Sequence, residues 1–520
     1  MPETAPVTVA VADSEGRSAP SDGKRPGAPA SFWVASTYFA EGYPYMVVNG
    51  LADMLFSHYK ASLQTIGLTA LLHLPWNLKF LWGPFLDSYG TKRQWLVGVE
   101  ALLSVLLLAL ALTTTLPSVL LAASLVLLVV AVASATHDIA VDGYYLEALD
   151  AKGQSRYVGY RAAAYRLAML AISGPLTWVC GSVGWLPGLV LIAALMAAIT
   201  AWHAFALPHA EVARRPILAL GKLLLRGRVL ALGASLAAAL AGVRALLGSE
   251  TAMAPLTALT AAAVEAAPWL AKLGVADWVG LSLLLAMLLL LGLAPMLRRR
   301  LAASQSDYGR AFVDFLGQDR VGRVLAFVVL FRTGESFLMK MKFPFFKQAG
   351  LDVAEYGLAN GTIGILASFA GTMVGGWLIS RDGLRRWLWP FVLSQNVLNL
   401  LFAGVAFGQD GGMTFGFASL TAIIAAEHFG AGLGTAVFMV YLMRCCLPTH
   451  KAAHMAILTA LMSVSFTFAG ASSGYLASAM GFGWYFAFTF VATVPAMLLI
   501  PGLPHLDAAP VHPKDAPAAA

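Results

Sequence analysis

The sequence predicts an all-α integral membrane protein. Of its 520 residues, 59% are hydrophobic and 12% are charged, which is far outside the composition of ordinary soluble proteins. Apolar runs of about 20 residues, long enough to cross a hydrocarbon core of roughly 30 Å as helices, recur along nearly the whole chain. Because unpaired backbone polar groups are costly in lipid, these runs predict a bundle of membrane helices.

Twelve apolar segments fall into two sets of six. The first set is predicted near residues 31 to 55, 63 to 86, 95 to 116, 119 to 148, 158 to 181 and 185 to 207. The second set is predicted near residues 321 to 346, 355 to 380, 385 to 407, 413 to 444, 451 to 477 and 481 to 502. Two further runs between the sets, "RVLALGASLAAALAGVRALLG" and "WVGLSLLLAMLLLLGLAPMLRRR", bring the predicted total to fourteen helices.

These segments divide the chain into five regions. Residues 1–30 are rich in Pro, Ala, Ser and Gly and lack the apolar core of a signal peptide, so they are predicted to be a disordered cytoplasmic tail. Residues 31–207 and 321–502 are predicted to form six-helix bundles. Residues 208–320 are a central linker that carries the two extra helices, and residues 503–520 are a second cytoplasmic tail.

The basic residues gather in alternate loops, which predicts a multi-pass protein with both termini in the cytoplasm. The net charge of +7 is therefore explained by topology, and no nucleic-acid partner is expected. Cys180, Cys445 and Cys446 lie in or beside apolar segments without metal-ligand spacing, so neither a disulfide framework nor a metal site is expected. No cofactor is expected either, and the absence of a Gly-Lys-Ser/Thr nucleotide loop favours a transporter driven by an ion gradient.

A loop motif occurs twice, after the second helix of each set. "GPFLDSYGTKRQW" (83 to 95) and "GGWLISRDGLRRW" (375 to 387) align at a constant offset. The pattern is that of the major facilitator superfamily, in which two six-helix halves are related by a parallel repeat. We expect the motif residues to form a cytoplasmic latch between the halves, although Ser380 replaces the aspartate in the second copy; the latch residues are Gly83, Asp87, Gly90, Lys92, Arg93, Arg385 and Arg386.

Glu41, Asp138 and Asp142 are acidic residues inside predicted helices, where an ionisable group costs at least about 2.5 kcal/mol and usually faces a cavity. At a rise of 1.5 Å per residue, Glu41 and Asp138 both lie about 15 Å from the cytoplasmic end of their helices, and Asp142 lies about 9 Å from it. Asp138 and Asp142 share a helical face, so a cation is needed to offset their repulsion. We expect Glu41, Asp138 and Asp142 to bind the coupling proton. Candidate cations at similar depth are Lys79, Arg161 and Arg166.

Charged residues also occur within the predicted helices of the second half. Arg332 and Glu335 lie three apart near the middle of the seventh helix, and Lys340 and Lys342 lie nearer its outer end. Glu427 and His428 lie near the middle of the tenth helix, and each is either a substrate contact or an internal partner of Arg332.

The sequence resembles the AmpG-like permeases of the major facilitator superfamily. The matching stretches are "LPWNLKFLWGPFLDSYGTKRQWL", "ATHDIAVDGYYLEAL", "YVGYRAAAYRLAML", "LFRTGESFLMKMKFPFF" and "EHFGAGLGTAVFMVYLMRCC". The resemblance implies proton-driven import of N-acetylglucosaminyl-1,6-anhydro-N-acetylmuramyl peptides across the bacterial inner membrane, for peptidoglycan recycling and β-lactamase induction. It also implies that Asp138 and Asp142 are the acidic pair of helix four and that Lys79 is the lysine of helix two.

A bulky anionic glycopeptide would be bound by aromatic side chains and cations. The protein is expected to be a monomer whose partners are this small-molecule substrate, protons and membrane lipids. The expected substrate-binding residues are Tyr45, Lys79, Tyr145, Arg166, Arg332, Glu335 and Glu427. His137 stands where these importers often have glutamine, which leaves acetyl-CoA and ferric siderophores open as cargo. A membrane-embedded acyltransferase that uses His137 and Asp138 is a weaker alternative, because adjacent helical positions point about 100° apart. A non-transporting sensor is a third possibility.

Overall fold

A computed structural model describes residues 28–79, 82–209, 215–217, 219, 313–447 and 451–507. In the first half, α1 spans 30–58 and consists of Ala30–Met46, a π-helical segment Val47–Leu51 and Ala52–His58. The remaining helices of this half are α2 (Leu63–Leu68, the 3-10 turn Thr69–His73, Leu74–Leu78 and Gly83–Ser88), α3 (Lys92–Thr113), α4 (Val119–Ala148), α5 (Ala151–Ala171, the π segment Ile172–Leu176 and Thr177–Ser182) and α6 (Trp185–Ala206).

The second half has the same order of helices. They are α7 (Val321–Phe331 and Thr333–Gln348), α8 (Val353–Tyr356, the π segment Gly357–Gly364 and Ile365–Asp382), α9 (Leu384–Val397 and Leu400–Asp410), α10 (Phe417–Arg444), α11 (451–480) and α12 (482–502). α11 and α12 are continuous in hydrogen bonding but turn at Gly481, whose φ of 74° lies in the left-handed region that glycine tolerates best.

The predicted fold class is confirmed, because the described residues form two six-helix halves. Seven described helical stretches are long and apolar enough to cross a membrane. One of them, Ile457–Gly502, contains the turn at Gly481 and therefore consists of two helices. The two extra central helices predicted between residues 208 and 320 lie outside the described residues. The predicted count of fourteen is therefore not confirmed, and the five-region division stays a prediction.

The two halves meet toward one end of the bundle, the end at which α1 finishes and α2 begins, here called the distal end. The opposite end, where α1 begins, is called the proximal end. α2 packs against α11, α5 against α8 and α1 against α7. Glycines permit the closest approaches: a Cβ at Gly67 would lie 2.9 Å from the backbone nitrogen of Gly474, and one at Gly361 would lie 1.6 Å from the carbonyl oxygen of Ser173. The halves are therefore closed against each other distally.

Polar caps fix where several helices begin. Thr91 and Gln94 form a capping box at the start of α3, and Asp352 and Glu355 form another at the start of α8. The Asp150 side chain accepts a hydrogen bond from the Gly153 backbone N–H at the start of α5. These caps set the proximal ends of α3 and α5 and the distal end of α8.

Candidate functional site

Asp138 of α4 pairs with Lys79 of α2 and lies beside Glu41 of α1. The Lys79 ammonium donates to Asp138 Oδ2, and the Glu41 and Asp138 carboxyl groups are in hydrogen-bonding contact. Two carboxyl groups can share a hydrogen bond only when one of them carries a proton. Glu41 Oε2 is buried and has no hydrogen-bond partner among the described residues. The common depth estimated for Glu41 and Asp138 from the sequence thus corresponds to direct contact.

Asp142 lies one helical turn further along α4 and has a different cation. Tyr38 Oη and Arg161 Nη2 each donate to Asp142 Oδ1, both at 2.7 Å. The Arg161 guanidinium also lies over the rings of Tyr38 and Tyr145, 4.3 Å and 4.7 Å from their centroids. Tyr145 is buried and donates its hydroxyl to the Gln154 carbonyl oxygen, so the structure places this predicted substrate residue within the packing around Arg161.

These five charged residues, Glu41, Lys79, Asp138, Asp142 and Arg161, form the acidic network. Three carboxylates and two cations leave one excess negative charge when every carboxyl group is ionised. One proton makes the network neutral, and the contact between Glu41 and Asp138 is the position that requires it. The side chains of Lys79 and Arg161 remain 35% and 32% exposed, so the network can be reached by water.

Two ion pairs lie in the interior of the second half. Arg332 Nη1 donates to Glu335 Oε2 at 2.5 Å, and Gln395 Nε2 donates to the same oxygen at 2.8 Å. Lys342 Nζ donates to Glu427 Oε2 at 2.6 Å, and both side chains are buried. From the sequence, Glu427 is either a substrate contact or the ion-pair partner of Arg332. In the structure Glu427 pairs with Lys342 instead, and Arg332 pairs with Glu335.

A further ion pair joins the two halves at the distal closure. Lys340 Nζ of α7 donates to Asp53 Oδ1 of α1 at 2.9 Å and lies 3.1 Å from Thr69 Oγ1 of α2. The Thr69 hydroxyl donates to the same Asp53 oxygen at 2.6 Å. Lys340 is 1% exposed and the Asp53 side chain is 9% exposed, so this contact is formed away from water. We call the three residues the distal clamp.

Immediately inside the distal clamp lies a cavity of about 80 Å³ shared by both halves. Its polar lining comes from Asn49, Asp53 and Ser173 on one side and from Lys340, Lys342, Asn360 and His428 on the other. Met46, Met54, Met339, Phe343 and Phe466 supply its apolar lining. Such a mixture of amide, ammonium and aromatic groups suits a solute that carries both sugar-like hydroxyls and negative charge.

Arg166 and Tyr45 occupy other positions in the space between the halves. The Arg166 guanidinium of α5 lies 5.4 Å from the ring centroid of Phe369 in α8. Among the described residues no carboxylate lies within ion-pair distance of Arg166, which leaves this cation available to an anion. Tyr45 packs edge-on against His73 and Trp76, with ring centroids 5.8 Å and 5.1 Å away.

The predicted latch residues make contacts within their own halves. Lys92 pairs with Asp87, Arg93 donates to the Ala204 carbonyl oxygen at the end of α6, and Arg385 pairs with Asp507 at 2.8 Å. Asp382, the displaced aspartate of the second copy, accepts from Arg381 and Trp387, and Arg386 lies 3.9 Å away. Gly90 and Gly383 have φ of 64° and 87°, as tight turns require, whereas Gly83 opens a helix. Latching of one half to the other stays a prediction.

Several polar residues of the interior were not among the predicted site residues. Asp53 and Thr69 of the distal clamp are two of them, and Tyr38 at Asp142 is a third. Glu100 and His203 form a separate buried cluster with His137. Asp53, Glu100 and His203 are titratable residues in apolar helices, and that placement is itself a signal, because a buried charge requires a partner.

The similar sequences among known proteins are transporters. No protein-family model matches it. It is 24% identical over 469 residues to the anhydromuropeptide permease of Escherichia coli (strain K12), covering 89% of this chain and 77% of that protein. A putative transporter AmpG 2 of Rickettsia bellii is 25% identical over 210 residues, covering 40% and 51% of the two chains.

Solved structures show the same architecture. An auto-inhibited POT family peptide transporter superposes with a TM-score of 0.63 at 15% identity, covering 92% of this chain and 98% of that one. This likeness shows the fold, which is that of the major facilitator transporters.

Proposed function

We propose that this chain, an AmpG-like transporter of the major facilitator fold, is a proton symporter that imports anhydro-muropeptides for peptidoglycan recycling. The acidic network is the observation that carries the coupling, because its five charged residues are one positive charge short of neutrality. A membrane protein avoids moving an uncompensated buried charge, so closure around the network favours its protonated form.

The similarity to the anhydromuropeptide permease supports the choice of cargo. The cavity inside the distal clamp offers two lysines and two asparagines, and Arg166 adds a cation without a described carboxylate partner. Because Lys340 and Lys342 are already paired with Asp53 and Glu427, we infer that Arg166 holds a carboxylate of the glycopeptide and that the amides and aromatic rings hold its sugars. Tyr45, Lys79, Arg332, Glu335 and Glu427 are proposed to position the cargo through the charge pairs and ring contacts described above.

The direction of import follows from topology. We propose that the chain lies in the bacterial inner membrane as a monomer with both termini in the cytoplasm, as the basic loops indicate. The distal end then faces the periplasm, and the described conformation is closed on that side. Cargo and proton would bind after the distal clamp opens and would leave through the proximal end.

The coupling is tested by neutralising one carboxyl group of the network. We expect Asp138→Asn and Glu41→Gln, assayed in proteoliposomes with labelled anhydro-muropeptide, to lose uptake driven by an imposed pH gradient. Because these variants no longer need the proton, we expect exchange of internal for external substrate without a gradient to persist. Asp410→Asn, which removes an exposed carboxylate at the end of α9, is the control and should behave as wild type.

Three outcomes would contradict the proposal in whole or in part. Gradient-driven uptake by Asp138→Asn at the wild-type rate would exclude the acidic network as the coupling site. Uptake of acetyl-CoA or a ferric siderophore in place of the muropeptide would be compatible with proton symport but would exclude the muropeptide as the cargo. Chemical alteration of the muropeptide by the purified protein would instead favour an acyltransferase.

A further inference from the structure

A buried cluster of three titratable residues lies in the first half, separate from the acidic network. Glu100 of α3, His137 of α4 and His203 of α6 are each 0% exposed. His203 Nδ1 lies 2.7 Å and 2.9 Å from the two Glu100 oxygens, and His137 Nε2 lies 3.1 Å from Glu100 Oε1. We call these residues the buried triad, and the transport mechanism proposed above does not use it.

Hydrogen-bond partners fix where the triad holds its protons. An ionised Glu100 accepts only, so the histidine nitrogens that face it, His203 Nδ1 and His137 Nε2, both carry hydrogen. The second nitrogen of His203, Nε2, lies 2.9 Å from Ser36 Oγ, which can accept a hydrogen bond from it. His203 can therefore be a fully bonded imidazolium, whose positive charge neutralises Glu100 inside the bundle.

The second nitrogen of His137 is in a different situation. His137 Nδ1 is buried and has no hydrogen-bond partner among the described residues. With Nε2 protonated, a neutral His137 presents an unused lone pair at Nδ1, which is the open acceptor of the triad. A glutamine or asparagine could make the bond to Glu100, but neither could accept a proton in this way.

The neighbouring charges connect this position to the acidic network. The titratable groups packed around His137 are Glu100 on α3 and His203 on α6, with Ser36 of α1 behind His203. Asp138 follows directly on α4 and brings Glu41 of α1 and Lys79 of α2 close by. A positive charge on His137 would favour the ionised form of Asp138. When Asp138 is protonated, it no longer stabilises a positive charge on His137.

We propose that the buried triad is a second proton-binding site of this transporter, at which His137 Nδ1 accepts one proton during transport. The proposal rests on the proposed symport function and adds to it a proton stoichiometry and a second titrating position. The step transfers a proton alone: His137 becomes an imidazolium, Glu100 stays a carboxylate, and the triad gains one positive charge.

The stoichiometry is measured in proteoliposomes as the substrate gradient that just balances an imposed pH gradient at zero net flux. We expect His137→Gln, which keeps a donor to Glu100, to transport with one proton fewer per substrate than the wild type. The dependence of its initial uptake rate on pH, measured between pH 5 and 8, should also differ from that of the wild type by one proton. Ser104→Ala is the control, because Ser104 and Thr200 join α3 to α6 by a buried contact of 3.3 Å that has no titratable group.

A second measurement does not depend on transport. In purified protein with ¹⁵N-labelled histidine, the Nδ1 signal that disappears in His137→Gln should change from unprotonated to protonated on acidification. An Nδ1 that stays in one state across this range, or an equal stoichiometry in His137→Gln and wild type, would overturn the triad as a proton site. Failure of the wild type to transport muropeptide would count against the proposed function alone, because the nitrogen spectrum would still report on the triad.

Discussion

Substitution of Arg166 provides a test that separates substrate binding from proton coupling. Its guanidinium contacts the Phe369 ring of the opposite half, and no carboxylate of the described residues lies within ion-pair distance. We expect Arg166→Ala to raise the KM for an anionic muropeptide about tenfold, equivalent to about 1.4 kcal/mol of binding. Initial rates measured over a range of substrate concentrations would show this effect with kcat nearly unchanged.

Arg166→Lys is the matched variant, because it keeps the charge and loses the planar stacking on Phe369. We expect it to recover part of the affinity. Equal KM values for wild type and Arg166→Ala would remove Arg166 from the substrate site. A changed proton stoichiometry would assign it to coupling instead.

The distal clamp gives a prediction about charge pairing between the halves. Asp53→Asn leaves the Lys340 ammonium buried without its carboxylate, and breaking a buried pair in this way costs about 3 kcal/mol or more. We expect this variant to show a lowered thermal unfolding temperature and reduced uptake. The exchanged pair, Asp53→Lys with Lys340→Asp, should recover much of both, whereas no recovery would show that the orientation of the pair matters as much as its charge.

The sequence predicted the depth of individual charged residues in the membrane better than it predicted their ion-pair partners. Glu41 and Asp138 were assigned one depth from the rise of a helix, and their contact agrees with that estimate. The choice of Lys342 for Glu427 depends on how α7 faces α10, which single-helix periodicity does not determine. Glu100 and His203 were missed for the same reason, since they lie in separate apolar helices and meet only through packing.

At the scale of elements, the π-helical segments mark where the halves touch. The segment Ile172–Leu176 of α5 packs on Gly357–Gly364 of α8, and a third segment, Val47–Leu51, lies in α1 beyond Pro44. A π turn widens the helix and often accompanies functional sites. The contact between α5 and α8 therefore depends on small residues that let two irregular backbones approach closely.

A methyl group at Gly361 should force these backbones apart. Its Cβ would lie 1.6 Å from the Ser173 carbonyl oxygen, a contact that only backbone movement can relieve. We expect Gly361→Ala to shift the population toward distal-open conformations. A cysteine introduced at Ser173 should then react faster with a polar thiol reagent applied from the distal side.

Gly404→Ala is the control for this prediction, because a Cβ at Gly404 of α9 would meet nothing within 4 Å. Its effect on thiol reactivity should be negligible. Equal reactivity at position 173 in the Gly361→Ala variant and its parent would show that the distal contact tolerates the added volume.

Helix existence was predictable at this scale, and several boundaries were not. α5 begins at Ala151, seven residues before the predicted start at 158, because Asp150 caps a polar first turn that hydropathy does not register. α3 begins at Lys92, not at 95, because of the capping box at Thr91. The π-helical segments could not be predicted from the spacing of apolar residues, because they arise from the packing of one helix on another.

At the scale of the whole molecule, the distal closure must open in each transport cycle if access alternates. Gln64 of α2 and Ser478 of α11 are exposed and hydrogen-bonded across the halves at 2.8 Å. We expect the double variant Gln64→Cys and Ser478→Cys, joined by a short bifunctional methanethiosulfonate, to lose uptake and to regain it on reduction. The three natural cysteines are buried and should not compete for the reagent.

Each single-cysteine variant treated with the same reagent is the control and should keep its activity. Continued uptake by the fully cross-linked protein would contradict a mechanism that requires separation of α2 from α11. Loss of uptake in a single-cysteine variant would indicate blocked access without any restraint on movement.

The overall architecture was the most predictable property of the chain. Hydrophobic length and the duplicated loop motif predicted two six-helix halves, which the fold and its likeness to transporter structures confirm. The conformation was not predictable, because closure at the distal end depends on contacts such as that between Gly67 and Gly474, which lie far apart in sequence.

The charge of the acidic network also determines which step should respond to membrane voltage. The described ion pairs of the second half and the distal clamp are neutral, so moving them transfers no net charge. The acidic network is neutral with one proton and carries one negative charge without it. Return of the empty, deprotonated transporter therefore moves at least one more negative charge through the field than the proton-loaded step does, and a full crossing of one charge is worth about 2.3 kcal/mol per 100 mV. A negative cytoplasm should favour return of the unloaded protein over return of the proton-loaded protein, in addition to drawing protons inward.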